Sequence, residues 1–162
     1  MLAVALTITG TANPWSRQLP LESEAAELTG AGPVVVCETW VEHEQGVRAG
    51  KTPYYGFTMM TRPKLVVISP FICRSLRQRK LDSAEFAHAV FVFAHELGHV
   101  AGDTKDETVA ECYALKNWRR LGVLLGLGKP TPEQESAVAR AHERLPLRYT
   151  GICSREGSVA LR

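Results

Sequence analysis

One segment constrains what this chain can fold into. From Phe86 to Leu97, the residues Phe86, Ala87, Ala89, Val90, Phe91, Val92, Phe93, Ala94 and Leu97 leave almost no polar face. A helix that is apolar nearly all round has to be covered on most sides, so the rest of the chain must be built around it. Into its end the sequence sets His95-Glu96-Leu97-Gly98-His99. Histidines four apart share one face of a helix, where a single Zn²⁺ can take both imidazoles. Glu96 then lies beside the metal, placed as general base toward a zinc-activated water. Two imidazoles and a carboxylate are costly in an apolar helix unless something binds them. The plainer alternative is a pair of hydrogen-bonded core histidines.

A catalytic site of this kind needs a third protein ligand. Asp82-Ser83-Ala84-Glu85 reads as the start of the apolar helix, with an N-cap candidate and Glu85 placed for a capping box. Gly102 suits its far end. Asp103-Thr104-Lys105 reads as a turn, and a second helix begins near Asp106. On it Glu107 and Glu111 fall on one face. Glu107 is expected to complete a His₂Glu site, the alternative being a capping-box glutamate paired with Thr104. Glu111 is expected to accept the free N–H of a ligand histidine, or else to be a solvated carboxylate.

These residues resemble the zincins, and among them the small gluzincins, whose pattern is H-E-x-x-H on one helix and E-x-x-x-D/E on the next. The matching stretches are His95-Glu96-Leu97-Gly98-His99 and Glu107-Thr108-Val109-Ala110-Glu111. The run from Asp106 to Leu115 is also similar to short metallopeptidases of actinobacterial type. The resemblance covers about Asp82 to Leu121. It implies a zinc metallopeptidase with His95, His99 and Glu107 as ligands, Glu96 as base and Glu111 in the outer shell. It also implies a small twisted sheet that precedes and covers the metal helix. The metzincin pattern, H-E-x-x-H-x-x-G-x-x-H, matches up to Gly102 and then meets Lys105 where a histidine is required; a lysine ammonium has no acceptor for a metal. Asp103 and Asp106 stay open as oxygen donors.

The chain's 162 residues suit one domain, residues 1–162, with a real core. A net charge of +2 gives no reason to expect nucleic acid or a membrane surface as partner. The basic cluster Arg74, Arg77, Arg79 and Lys80 reads as a solvated helix end rather than a phosphate site. Cys37, Cys73, Cys112 and Cys153 form no C-x-x-C pair. They suit two disulfides in an exported protein, with three pairings open, or four buried thiols in the cytosol. Residues 1–12 resemble the tail of a signal peptide, or else a first strand. The expected location is therefore secreted or cell-envelope, in a bacterium. No segment is long enough to span a bilayer.

Along the chain the pattern predicts a helix from Leu21 to Leu28 closed by Gly30 and a strand from Val34 to Val41. A loop or hairpin connection is expected over Glu42–Thr52, with strands over Tyr54–Met60 and Lys64–Ser69. A short helix follows over Phe71–Arg79, opened by Pro70. The glutamate helix should reach Leu121. A last helix starts at Thr131-Pro132-Glu133-Gln134 and runs to about Leu145, where Pro146 stops it. Strands grouped before helices make this α+β. An edge strand, Tyr54–Met60 or Lys64–Ser69, is the candidate for pairing with an extended peptide or protein substrate. His142, Tyr113, Arg148 and Tyr149 are candidates to stabilise the oxyanion. The principal rival to an enzyme is a non-catalytic metal-dependent binding or regulatory domain.

Overall fold

The structure, a computed structural model, describes residues 16–49, 54–143 and Cys153. The element order is β1 (Ser16–Arg17), α1 (Leu19–Thr29), β2 (Val34–Cys37), α2 (Trp40–Arg48), β3 (Gly56–Met59), β4 (Leu65–Ile68), α3 (Pro70–Gln78), α4 (Ala84–Gly102), α5 (Glu107–Leu124) and α6 (Pro132–Glu143). The class is mixed α+β, with the strands collected in the first half. The leader-like residues 1–12 lie outside the described residues, as do Arg148, Tyr149 and the stop at Leu145–Pro146.

The β-branched runs become the inner strands. The sheet order is β1-β2-β4-β3; β2 and β4 are parallel, while β1 and β3 pair antiparallel at the two edges. Val34 pairs with Leu65 and Cys37 with Ile68 across the parallel ladder. Parallel strands are covered on both faces and so read as continuous apolar runs. Val35, Cys37, Val66 and Ile68 join the core around α4, and Val36 and Val67 are buried on the opposite face.

Helix α4 is the axis of the molecule. Thirteen of its residues are buried, from Phe86 to Val100, and it packs against α1, α3, α5, α6 and the β3–β4 side of the sheet. Ser83 caps it by accepting from the Phe86 N–H. The reciprocal bond expected from Glu85 does not form, because Ser83 rather than Asp82 is the cap and Phe86 occupies the third helical position. At the other end Gly102 stays helical and Asp103 takes the left-handed conformation, φ 47°.

Three further expectations are corrected. The strand expected over Val34–Val41 stops at Cys37, and the segment expected as a loop or hairpin forms α2. The cause is local. Thr39 and Glu42 form a capping box, Thr39 Oγ1 accepting from the Glu42 N–H at 3.3 Å and Glu42 Oε2 accepting from the Thr39 N–H at 3.2 Å. That satisfies two backbone donors at once and starts a helix where the β-branched run would otherwise continue. Lys64–Ser69 is likewise no edge: β4 is an inner strand, and among the described strands it is β3 that borders the cleft around α4.

Several local signals hold. Gly30, φ 69°, closes α1. Thr131 and Gln134 cap α6 reciprocally, at 2.9 and 3.3 Å. Of the three open cysteine pairings, Cys37–Cys73 and Cys112–Cys153 are the ones formed; two disulfides suit an oxidising environment. In the basic cluster, Arg74 lies over the Trp40 ring and Arg79 faces Glu24. No described helix is long and apolar enough to cross a membrane.

Candidate metal centre

His95 and His99 project from the last two turns of α4, and Glu107 opens α5. The seven residues between His99 and Glu107 turn the chain back tightly. Asp103 supplies the left-handed residue, and Thr104 Oγ1 accepts from the Asp106 N–H at 3.0 Å. The Asp106 carboxylate then caps α5, accepting from the Thr108 and Val109 N–H groups. Lys64, reaching over from just before β4, donates to the Val100 carbonyl and pairs with Asp103, each at 2.7 Å. Asp103 and Asp106 are therefore committed to the turn, and neither serves as an oxygen donor to the site. Nor is Glu107 the cap of α5, since Asp106 is.

The histidine tautomers follow from what holds each ring. His95 Nδ1 donates to Glu111 Oε2 at 2.9 Å, and His99 Nδ1 donates to the Thr104 carbonyl at 3.0 Å. Both Nε2 atoms are thereby directed to the same place, where Glu107 Oε2 lies 2.9 Å from His95 Nε2 and 3.6 Å from His99 Nε2. One ligating atom from each of the three residues falls within 4.8 Å of the others. Tetrahedral zinc with bonds near 2.0–2.1 Å separates its ligand atoms by about 3.3 Å. The two histidine–glutamate distances straddle that value, so the donor set could hold a divalent ion with a fourth position open. Among the described residues this is the one cluster of its kind.

The electrostatics describe a cage prepared for positive charge. Burial of His95 works against its charged form, but hydrogen bonds to Glu107 and Glu111 outweigh that and push its pKa up to about 10. His99 is raised in the same way, burial opposing and Glu107 prevailing. The hydrogen bonds from His95 and His99 hold Glu107 far below the ordinary carboxylate range. The attraction of the carboxylates for imidazolium outweighs the cost of taking that charge out of water.

Glu96 sits beside this cluster, 5% exposed. Burial raises its pKa, with His95 and Thr58 acting the other way. Thr58 on β3 has its hydroxyl 2.9 Å from Glu96 Oε2 and 3.1 Å from the Glu96 carbonyl. Gly56 lets the strand come this close: a Cβ there would lie 3.1 Å from both Cγ and Oε1 of Glu96 and 3.2 Å from the Val67 carbonyl. Helix α5 approaches α4 through a second glycine, Gly98, set against the backbone of Ala110.

The cluster opens into a cleft of about 810 Å³ between α4, α6 and β3. Gly56, Phe57 and Thr58 form one wall, Ala137 and Ala141 the other, and Phe91 and Val92 lie along α4 between them. Tyr55 packs edge-on against His88, with ring centroids 5.2 Å apart.

Glu111 is 1% exposed and belongs to the site, not to a solvated face. Its second oxygen meets His142, with Nδ1 and Oε1 2.6 Å apart. His142 is thus turned into Glu111. Tyr113 is withdrawn as an oxyanion candidate, because its hydroxyl donates to the buried Leu28 carbonyl at 3.1 Å. Thr58, Lys64 and Thr104 carry no motif of their own. Only Thr104, in the α4–α5 turn, lies close enough to the motif in sequence to be suspected.

No family model, curated protein or solved structure matches the chain.

Proposed function

We propose that the protein is a zinc-dependent hydrolase, a peptidase in which Glu96 is the general base. The observation that carries this reading is the pairing of a three-donor cluster with a separate buried carboxylate on the same helix turn, both opening into one cleft. A storage or structural site does not require the fourth group to line the cleft. Zinc held by His95, His99 and Glu107 supplies a Lewis acid that acidifies water and polarises a carbonyl; other divalent ions also suit this donor set.

The chain's own groups do the remainder. Glu96 Oε2 is engaged by Thr58, which leaves Oε1 to take a proton from water and return it to the leaving amine. The raised pKa of a buried carboxylate suits that round trip, since a stronger acid would release the proton to solvent rather than hold it. The outer edge of β3 runs past Glu96, and no described strand pairs with it. An extended peptide adding there would place its carbonyls along the cleft by ordinary strand pairing. The sheet-then-helix order resembles the zincin plan, and the disulfides suit an exported bacterial enzyme.

The test is a peptide library incubated with wild type and Glu96→Gln. The reading expects cleavage by wild type and none by the variant, both carrying one metal. A wild-type protein that carries metal and cleaves nothing in the library would instead favour a metal-dependent binding domain.

A further inference from the structure

Glu111 has both carboxylate oxygens occupied by imidazoles: Oε2 by His95 Nδ1 at 2.9 Å and Oε1 by His142 Nδ1 at 2.6 Å. An ionised carboxylate only accepts, so each ring donates through Nδ1. The carboxylate is 1% exposed, and an unpaired oxygen there would be costly. His142 therefore decides how Glu111 can lie. With Oε1 held from α6, the other oxygen is left facing His95, and the His95 ring is left with Nε2 toward Glu107 and His99.

The reach of His142 is set far from the metal. Gln134, Val138 and His142 follow at four-residue intervals along one face of α6. Gln134 Nε2 donates to the Leu81 and Ser83 carbonyls, at 2.7 and 3.3 Å, just before α4 begins. Val138 is buried in the core. The helix is fixed against α4 at its start, and His142 arrives at Glu111 two turns later.

We propose that His142 is a positioning residue of the metal centre: it orients Glu111, which orients His95, so that α6 sets metal affinity without supplying a ligand. The inference rests on the metal-centre reading given above, but not on peptidase activity. Partners one layer out from a metal commonly change affinity by about 10–100-fold, and a group acting through such a partner should fall at the lower end.

The experiment measures zinc affinity by competition with a chromophoric chelator for wild type, His142→Phe and His142→Asn. Phenylalanine fills the space without a donor, and the asparagine amide can present an N–H near the position of Nδ1. Thermal melts of the metal-free proteins establish that each is folded. The expected result is a loss of about tenfold in His142→Phe and recovery to within about threefold in His142→Asn. Wild-type affinity in a folded His142→Phe would overturn the inference and leave the metal centre standing. So would an asparagine variant as weak as the phenylalanine one, because packing rather than the donor would then be what counts. A wild-type protein that takes up no zinc would overturn the metal centre and this inference together.

Discussion

Replacing Gly98 with alanine should damage the metal centre more than the fold. A Cβ at this position would lie 2.6 Å from the Ala110 Cα, 2.7 Å from the Ala110 carbonyl oxygen and 3.0 Å from the Tyr113 Cβ. Non-bonded carbons rest at about 3.5–4.0 Å, so α4 and α5 must part by about 1 Å. The obstructing atoms are mostly backbone and cannot rotate aside. Overpacking of this kind costs about 1–3 kcal/mol, and alanine's better helix propensity returns about 1 kcal/mol. The net is a loss of about 0–2 kcal/mol, or at most about 8 °C in Tm for a chain of this size. At the cluster the same movement separates the two histidines on α4 from Glu107 on α5. Metal–ligand distances tolerate about 0.2 Å, so the parting exceeds the tolerance about fivefold. Zinc affinity, measured by chelator competition, should fall by at least about tenfold while the metal-free protein still melts cooperatively. A Gly98→Ala protein that binds zinc as tightly as wild type would refute the claim that this close approach sets the geometry.

Three other outcomes are expected. Glu107→Ala removes the third donor and should weaken zinc binding by more than about 100-fold, beyond the loss of an outer-shell partner; equilibrium dialysis measures it, and a small change would mean that another oxygen takes its place. Thr58→Val leaves Glu96 Oε2 without its donor; a hydrogen bond to a charged group is worth about 1.5–3 kcal/mol. The Glu96 pKa should rise further, and the acidic limb of the pH–rate profile should move up by about one unit, tenfold in rate on that limb. The metal-free protein should show a particular pH dependence of stability. His95 has a raised folded pKa, so its contribution is complete below its unfolded value of 6.5 and is lost as pH rises through about 10. Glu107 is depressed, so its contribution is present above 4.5 and is lost as pH falls. Denaturant melts of chelator-treated protein should therefore peak between pH 4.5 and 6.5 and decline toward alkaline pH, whereas a flat profile above 6.5 would contradict the cage.

What can be read from the residues is what chain neighbours decide. The motif on α4, the Gly30 stop and the Thr131–Gln134 cap depend on spacings of a few residues, and those spacings are visible in the sequence. The box at Thr39–Glu42 is equally local, but a β-branched run ahead of it carries the strand pattern past the true boundary. Which strand lies at an edge is only partly legible: Leu65–Ile68 is a continuous apolar run, as a covered inner strand requires, while Tyr54–Met60 mixes aromatics with Gly and Thr, and the parallel pairing of β2 with β4 decides it. The supports of the site come from far along the chain: Thr58 reaches Glu96 across 38 residues, Lys64 reaches Val100 across 36, and His142 reaches Glu111 across 31. No local pattern marks such partners. The sequence marks His142 only as a histidine on a later helix, and its place against Glu111 follows from how α6 is anchored at Gln134.

We propose that one divalent ion, held by His95, His99 and Glu107, works with Glu96 to cleave peptides. Zinc titrated into chelator-treated protein, with bound metal and peptide cleavage followed together, tests it most directly. Cleavage should rise with zinc and level off at one equivalent, while Glu96→Gln should bind the same equivalent and stay inactive. Cleavage that persists without metal, or that survives in Glu96→Gln, would contradict it.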